Sequence, residues 1–81
     1  MKVKSLTETS RLYVTSDKHK EGVYFARTNK SFFARFYQNE YGWEIWIYPY
    51  KISIREKSLT ATLNRIDYLF KKYWREKCDT Q

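Results

Sequence analysis

Gly22-Val23-Tyr24-Phe25-Ala26-Arg27-Thr28-Asn29-Lys30-Ser31-Phe32-Phe33-Ala34-Arg35-Phe36-Tyr37-Gln38 reads as strand, tight turn, strand. The loop Asn39-Glu40-Tyr41-Gly42 follows, and Trp43-Glu44-Ile45-Trp46-Ile47-Tyr48 reads as the next strand. Side chains alternate across a strand, so positions i, i+2 and i+4 share a face. A turn at Asn29-Lys30 places Phe25 opposite Ala34 and Val23 opposite Phe36. A loop at Asn39 to Gly42 places Phe36 opposite Ile45 and Ala34 opposite Ile47. These residues form an apolar face. The other face then carries Tyr24, Phe33, Arg35, Tyr37, Trp46 and Tyr48, so it is aromatic and basic rather than simply polar. A slip of one residue mixes the two sets, and the pattern itself therefore argues for this register.

Working outward, Leu12-Tyr13-Val14-Thr15 is β-branched and aromatic enough for a further strand. A charged loop, Ser16 to Gly22, joins it to the first hairpin. Pro49 cannot donate to a ladder and marks a strand end, edge or bulge. Beyond it Tyr50-Lys51-Ile52-Ser53-Ile54-Arg55 alternates again, with Ile52 and Ile54 on one side. The last element is a helix from about Ser58 to Lys77. Ser58 is its N-cap, since its hydroxyl can accept from an unpaired first-turn amide. Leu59, Leu63, Ile66, Phe70 and Tyr73 form one stripe at helical spacing, flanked by Leu69 and Trp74. Asn64, Arg65, Tyr68, Lys71, Lys72 and Arg75 lie opposite, and Asp67 is spaced to pair with Lys71. Met1 to Ser10 is a polar arm in which Val3 and Leu6 can anchor a short strand.

The 81 residues amount to one small domain spanning 1–81, with a thin core to which the aromatic residues contribute much of the buried area. The expected architecture is α+β: an antiparallel sheet of four or five strands with one C-terminal helix packed on one face. The net charge is +7 and the isoelectric point about 9.6, which points toward polyanionic partners. From Lys51 to Lys77 there are eight basic residues against three acidic ones. Cys78 is the sole cysteine, which excludes an intramolecular disulfide and a cysteine-rich metal site. The N-terminus lacks the apolar core of a signal peptide, and no apolar run approaches a membrane span. A cytoplasmic protein with no membrane partner is the expectation.

One helix covers one face of a small sheet, and nothing in the chain remains for the other. An uncovered antiparallel face is ordinary when polar, whereas a contiguous aromatic patch marks a binding surface. Rings framed by cations suit single-stranded nucleic acid, because bases stack on the rings and the cations neutralise phosphates. On this reading Tyr24, Phe33, Trp46 and Tyr48 stack bases, and Arg27, Lys30, Arg35, Lys51 and Arg55 hold phosphates. Lys71, Lys72 and Arg75 extend the track along the helix. RNA is favoured over duplex DNA, since a flat sheet reads splayed bases better than a groove. The alternative is that protein covers the rings, because Tyr, Trp and Arg are also the residues enriched at interfaces, and a homodimer is the simplest form of it.

Catalytic chemistry needs a positioned acid, base or nucleophile. His19 lies in a charged loop, Cys78 has no histidine near it in sequence, and Glu40 and Glu44 read as solvated hairpin charges. There is no glycine-rich phosphate loop and no carboxylate cluster for a divalent metal. The expectation is a non-enzyme without cofactor.

In size and composition the whole chain resembles small accessory proteins of tailed bacteriophages, which are short single domains rich in Tyr, Lys and Trp and without catalytic residues. Many of these inhibit host defence, among them anti-CRISPR proteins and inhibitors of the toxin ribonucleases of toxin–antitoxin systems. The resemblance carries over no residue by motif. It implies that such a protein acts in the host cytoplasm, by engaging a host nuclease, its RNA, or the ribonucleoprotein of both.

Overall fold

The structure, a computed structural model, describes residues 4–5 and 12–79. Its order is β1 (Lys4–Ser5), β2 (Tyr13–Ser16), β3 (Val23–Arg27), β4 (Phe32–Asn39), β5 (Gly42–Ile47), β6 (Ile52–Glu56) and α1 (Leu59–Asp79). The strands form one antiparallel meander in chain order, with the two-residue β1 at one edge and β6 at the other. The single helix packs against this sheet, so the expected α+β architecture is present. The remainder of the expected N-terminal arm lies outside the described residues.

Local chemistry closes each connection. Thr28 donates its backbone N–H to the Ser31 carbonyl at 2.9 Å. Its hydroxyl accepts from the N–H groups of Lys30 and Ser31, both at 3.2 Å, so Asn29 and Lys30 make the expected tight turn. Asn39 Oδ1 accepts from Tyr41 N–H at 2.9 Å. Gly42 follows at φ 130°, where a Cβ would stand 2.5 Å from the Glu56 carbonyl oxygen. Only glycine fits a strand start pressed that closely on its neighbour. Pro49 lies in the turn between β5 and β6, which closes through Lys51 N–H donating to the Ile47 carbonyl at 2.8 Å. Lys51 is left-handed there, at φ 55°. The helix starts where Ser58 Oγ accepts from Ala61 N–H at 3.1 Å, the N-cap expected of it.

The register departs from strict alternation at one residue, and the departure decides which rings face which way. Arg27 pairs with Phe32 as the tight turn requires, but Ala26 then pairs with Ala34, leaving Phe33 as the extra residue of a β-bulge. From there on Phe25 pairs with Arg35, Tyr24 with Phe36 and Val23 with Tyr37, one step from the expected partners. A bulge re-aims side chains. Here it turns Phe33 toward α1, its ring edge-on to Phe70 at 5.2 Å and 5.8 Å from Tyr73. The second hairpin keeps the expected register, Phe36 with Ile45 and Ala34 with Ile47.

The core therefore consists of Leu12, Ala26, Phe33, Ala34, Phe36, Trp43, Ile45 and Ile47 beneath Ile66 and Phe70 of the helix. Leu63, Leu69 and Tyr73 complete the helical stripe at its margins. Leu59 does not belong to it and is 45% exposed. Thr62 is buried in its place, its hydroxyl donating to the Ser58 carbonyl at 2.8 Å. Asp67 is also buried, and its Oδ2 pairs with Lys71 Nζ at 3.0 Å as its spacing suggests.

Candidate binding surface

The sheet face away from α1 is a grid set by strand pairing. One row runs Thr15, Phe25, Arg35, Trp46, Ser53 across β2 to β6. The row beside it runs Val23, Tyr37, Glu44, Arg55. On the other side, next to the tight turn, stand Tyr13, Arg27 and Phe32. Directly paired residues of an antiparallel sheet present their side chains on the same side, so rings and guanidinium groups interleave across the whole face.

Contacts fix three of these cations against rings or carboxylate. The Arg27 guanidinium lies 4.6 Å from the Phe32 centroid and 5.9 Å from that of Tyr13, and its Nε–H donates to the Thr28 carbonyl at 3.1 Å. Phe32 in turn packs on Phe25 at 4.6 Å. Arg35 pairs across the strands with Trp46, as expected, but its guanidinium lies over Tyr37, 5.7 Å from the centroid. Arg55 donates from Nε and Nη2 to the same oxygen, Glu44 Oε1, at 3.1 and 2.7 Å, and lies 5.5 Å from the Tyr41 ring. A shallow depression of about 200 Å³ lies between Arg35, Tyr37, Glu44, Trp46 and Ser53. Trp46 is 38% exposed and Phe32 44% exposed. Both rings are therefore open to solvent on this face, with Arg35 between Phe25 and Trp46.

The bulge overturns part of the expected site. Tyr24 and Phe33 do not face outward. Tyr24 packs on Phe36 at 5.7 Å and Trp43 at 6.4 Å on the helix side, and Phe33 is 3% exposed beneath α1. Phe25 and Val23, expected under the helix, occupy the open face instead. Trp46, Arg35 and Arg55 are where the sequence placed them, and Arg27, which alternation sets with Val23 and Phe25, comes to the outer face with them. Lys30 and Lys51 are exposed in two turns at the same end of the sheet. Tyr48 is half-buried in the turn after β5, its N–H donating to the Phe33 carbonyl at 2.9 Å. Lys71, Lys72 and Arg75 are exposed on α1. They stand on the opposite layer of the domain and do not continue the cationic grid, since the helix covers the other side of the sheet.

Sequence reasoning missed Tyr13, Phe25, Phe32 and Glu44 as members of this face. The available signal was Phe32-Phe33-Ala34, three consecutive apolar residues before Arg35, which breaks alternation where the bulge falls.

Elsewhere the chemistry is structural. Asp17 Oδ1 caps the loop after β2, accepting from His19 and Lys20 N–H at 2.8 and 3.3 Å, and the His19 N–H chiefly holds its carboxyl below the ordinary 3.8. The Tyr50 hydroxyl donates to Glu76 Oε2 at 3.3 Å; burial, then the Glu76 charge, raises its pKa. Among the described residues no group of three His, Cys, Asp or Glu is placed to hold a metal ion. No helix there is long and apolar enough to cross a membrane. No protein family, curated protein or solved structure matches this chain.

Proposed function

We propose that this chain is a non-catalytic module that binds RNA or other single-stranded nucleic acid on the open face of its sheet. The observation that supports it is the joint presence, on the sheet face away from α1, of half-exposed Phe32 and Trp46 with the guanidinium groups of Arg27, Arg35 and Arg55. Bases stack on Trp46 and Phe32, while Arg27 and Arg35, which face rings rather than carboxylates, take phosphates. Lys30 and Lys51 stand in the two turns at one end of the face. Such a ligand places the protein in the cytoplasm, and the phage-type resemblance makes that a host cytoplasm.

Equilibrium binding of a labelled single-stranded oligonucleotide tests this. The two guanidinium contacts of Arg27 and Arg35 give a slope of log K against log salt of about −1.4, and Trp46→Ala costs about 1–3 kcal/mol of binding with the fold intact. No binding at low salt rejects the reading. The second reading, an inhibitor that covers the same rings with a host nuclease or a second copy of itself, draws on the β6 edge, which among the described residues has a strand neighbour on one side only. Capture of a partner from lysate that survives ribonuclease treatment favours it over RNA.

A further inference from the structure

The depression beside Trp46 carries a feature that general stacking does not need, namely a carboxylate with one oxygen left over. Glu44 and Trp46 are two residues apart on the same side of β5, hence about 7 Å apart along the strand. Both Arg55 hydrogen bonds fall on Glu44 Oε1, and Glu44 Oε2 has no hydrogen-bond partner among the described residues. The Glu44 side chain is 20% exposed, against 60% for Arg55, and Glu44 lines the depression, so Arg55 holds the carboxylate in place there through one oxygen only. Ser53, exposed and directly across from Trp46, adds a hydroxyl that can donate.

The geometry points to Glu44 as a specificity-determining residue that selects a base bearing an exocyclic amino group, cytosine over uracil, at the base stacked on Trp46. This rests on the nucleic-acid reading above. An ionised carboxylate only accepts. Cytosine offers its N4 amino hydrogens to that oxygen and its ring N3 to the Ser53 hydroxyl. Uracil places carbonyl O4 where the amino group would be, so two acceptors face each other and the hydrogen bond is lost. A carboxylate accepting from cytosine N4 is an established mode of base readout. The two pyrimidines have rings of the same size and stack alike on indole, so a difference between them reports the edge rather than the stacking.

The test measures binding of labelled oligocytidine and oligouridine of equal length to the full chain, to Glu44→Gln and to Ser53→Ala. The wild type binds oligocytidine about tenfold more tightly, as one well-made base-edge interaction implies. Glu44→Gln brings the two affinities together, because an amide can donate to O4 as well as accept from N4, whereas Ser53→Ala weakens both oligonucleotides and keeps the gap, because its hydroxyl can donate to cytosine N3 or accept from uracil N3–H. Equal wild-type affinities, or a Glu44→Gln change that weakens both oligonucleotides alike, overturn the assignment while leaving nucleic-acid binding standing. Binding of neither oligonucleotide overturns the underlying reading and this inference with it.

Discussion

Phe32 and Phe33 are adjacent, identical in chemistry and assigned opposite fates by the bulge, so truncating each in turn tests the register directly. Phe33→Ala removes a ring that is 3% exposed and packed edge-on to Phe70 and against Tyr73. Loss of a buried phenyl ring, with the cavity it leaves, costs about 3–5 kcal/mol. A domain of this length has about 4–12 kcal/mol in total, so the variant is left marginal. Each kcal/mol lowers the melting temperature by about 4–8 °C at this size, and the fall therefore exceeds about 10 °C. Phe32→Ala removes a ring that is 44% exposed and touches Phe25 and Arg27, and it costs about 1 kcal/mol, the contribution of an exposed cation–π and ring contact. Urea titrations followed by circular dichroism give both values. Strict alternation through β4, with no bulge, predicts the reverse order. Equal losses, or a larger loss for Phe32→Ala, would refute the placement of the bulge and of every outward ring derived from it.

Gly42→Ala puts a Cβ 2.5 Å from the Glu56 carbonyl at a φ of 130°; neither β5 nor β6 backbone can yield cheaply, and chemical denaturation will show a loss above about 2 kcal/mol. Lys51→Gly relieves a left-handed residue at φ 55° and raises stability by up to about 1 kcal/mol in the same assay, the steric relief exceeding the added freedom of the unfolded chain. The Tyr50 hydroxyl keeps its proton more tightly in the folded chain than its ordinary value of 10.0. Its contribution is therefore complete below that pH and is lost as pH rises through the higher folded value. Tyr50→Phe removes this part of the alkaline stability curve and leaves the neutral region unchanged in slope.

Much of the architecture was legible because hydrophobic pattern and turn chemistry agreed. Ser58 before a helical stripe, Asn39 to Gly42 between two alternating runs, and Ile45 and Ile47 flanking Trp46 each had one consistent reading. Strand β3 did not. Val23-Tyr24-Phe25-Ala26 has rings or branched chains at every outward and inward position but one, so its own composition does not choose a face, and the partner strand chooses for it. The partner carries a bulge, whose energetic basis is tertiary: Phe33 gains Phe70 and Tyr73, which lie almost forty residues later in the chain. No local rule registers that gain. Leu59 failed for a related reason. A first-turn leucine fits the stripe by spacing, but Thr62 satisfies its own hydroxyl against the Ser58 carbonyl and can be buried there without penalty. The site followed the fold: Trp46 and Arg35 were placed by the well-determined second hairpin, while Tyr24 and Phe33 were misplaced by the first.

The three tryptophans report on different parts of the molecule: Trp43 is in the core, Trp46 on the open face, and Trp74 on the helix beside Phe70. Their indole N–H resonances, followed by NMR while a single-stranded oligonucleotide is titrated in, test the open-face account most directly. The Trp46 signal is expected to move progressively to saturation, with Trp43 and Trp74 nearly still. A Trp46 signal that stays fixed while Trp74 moves, or while the oligonucleotide binds with no indole responding, would contradict it.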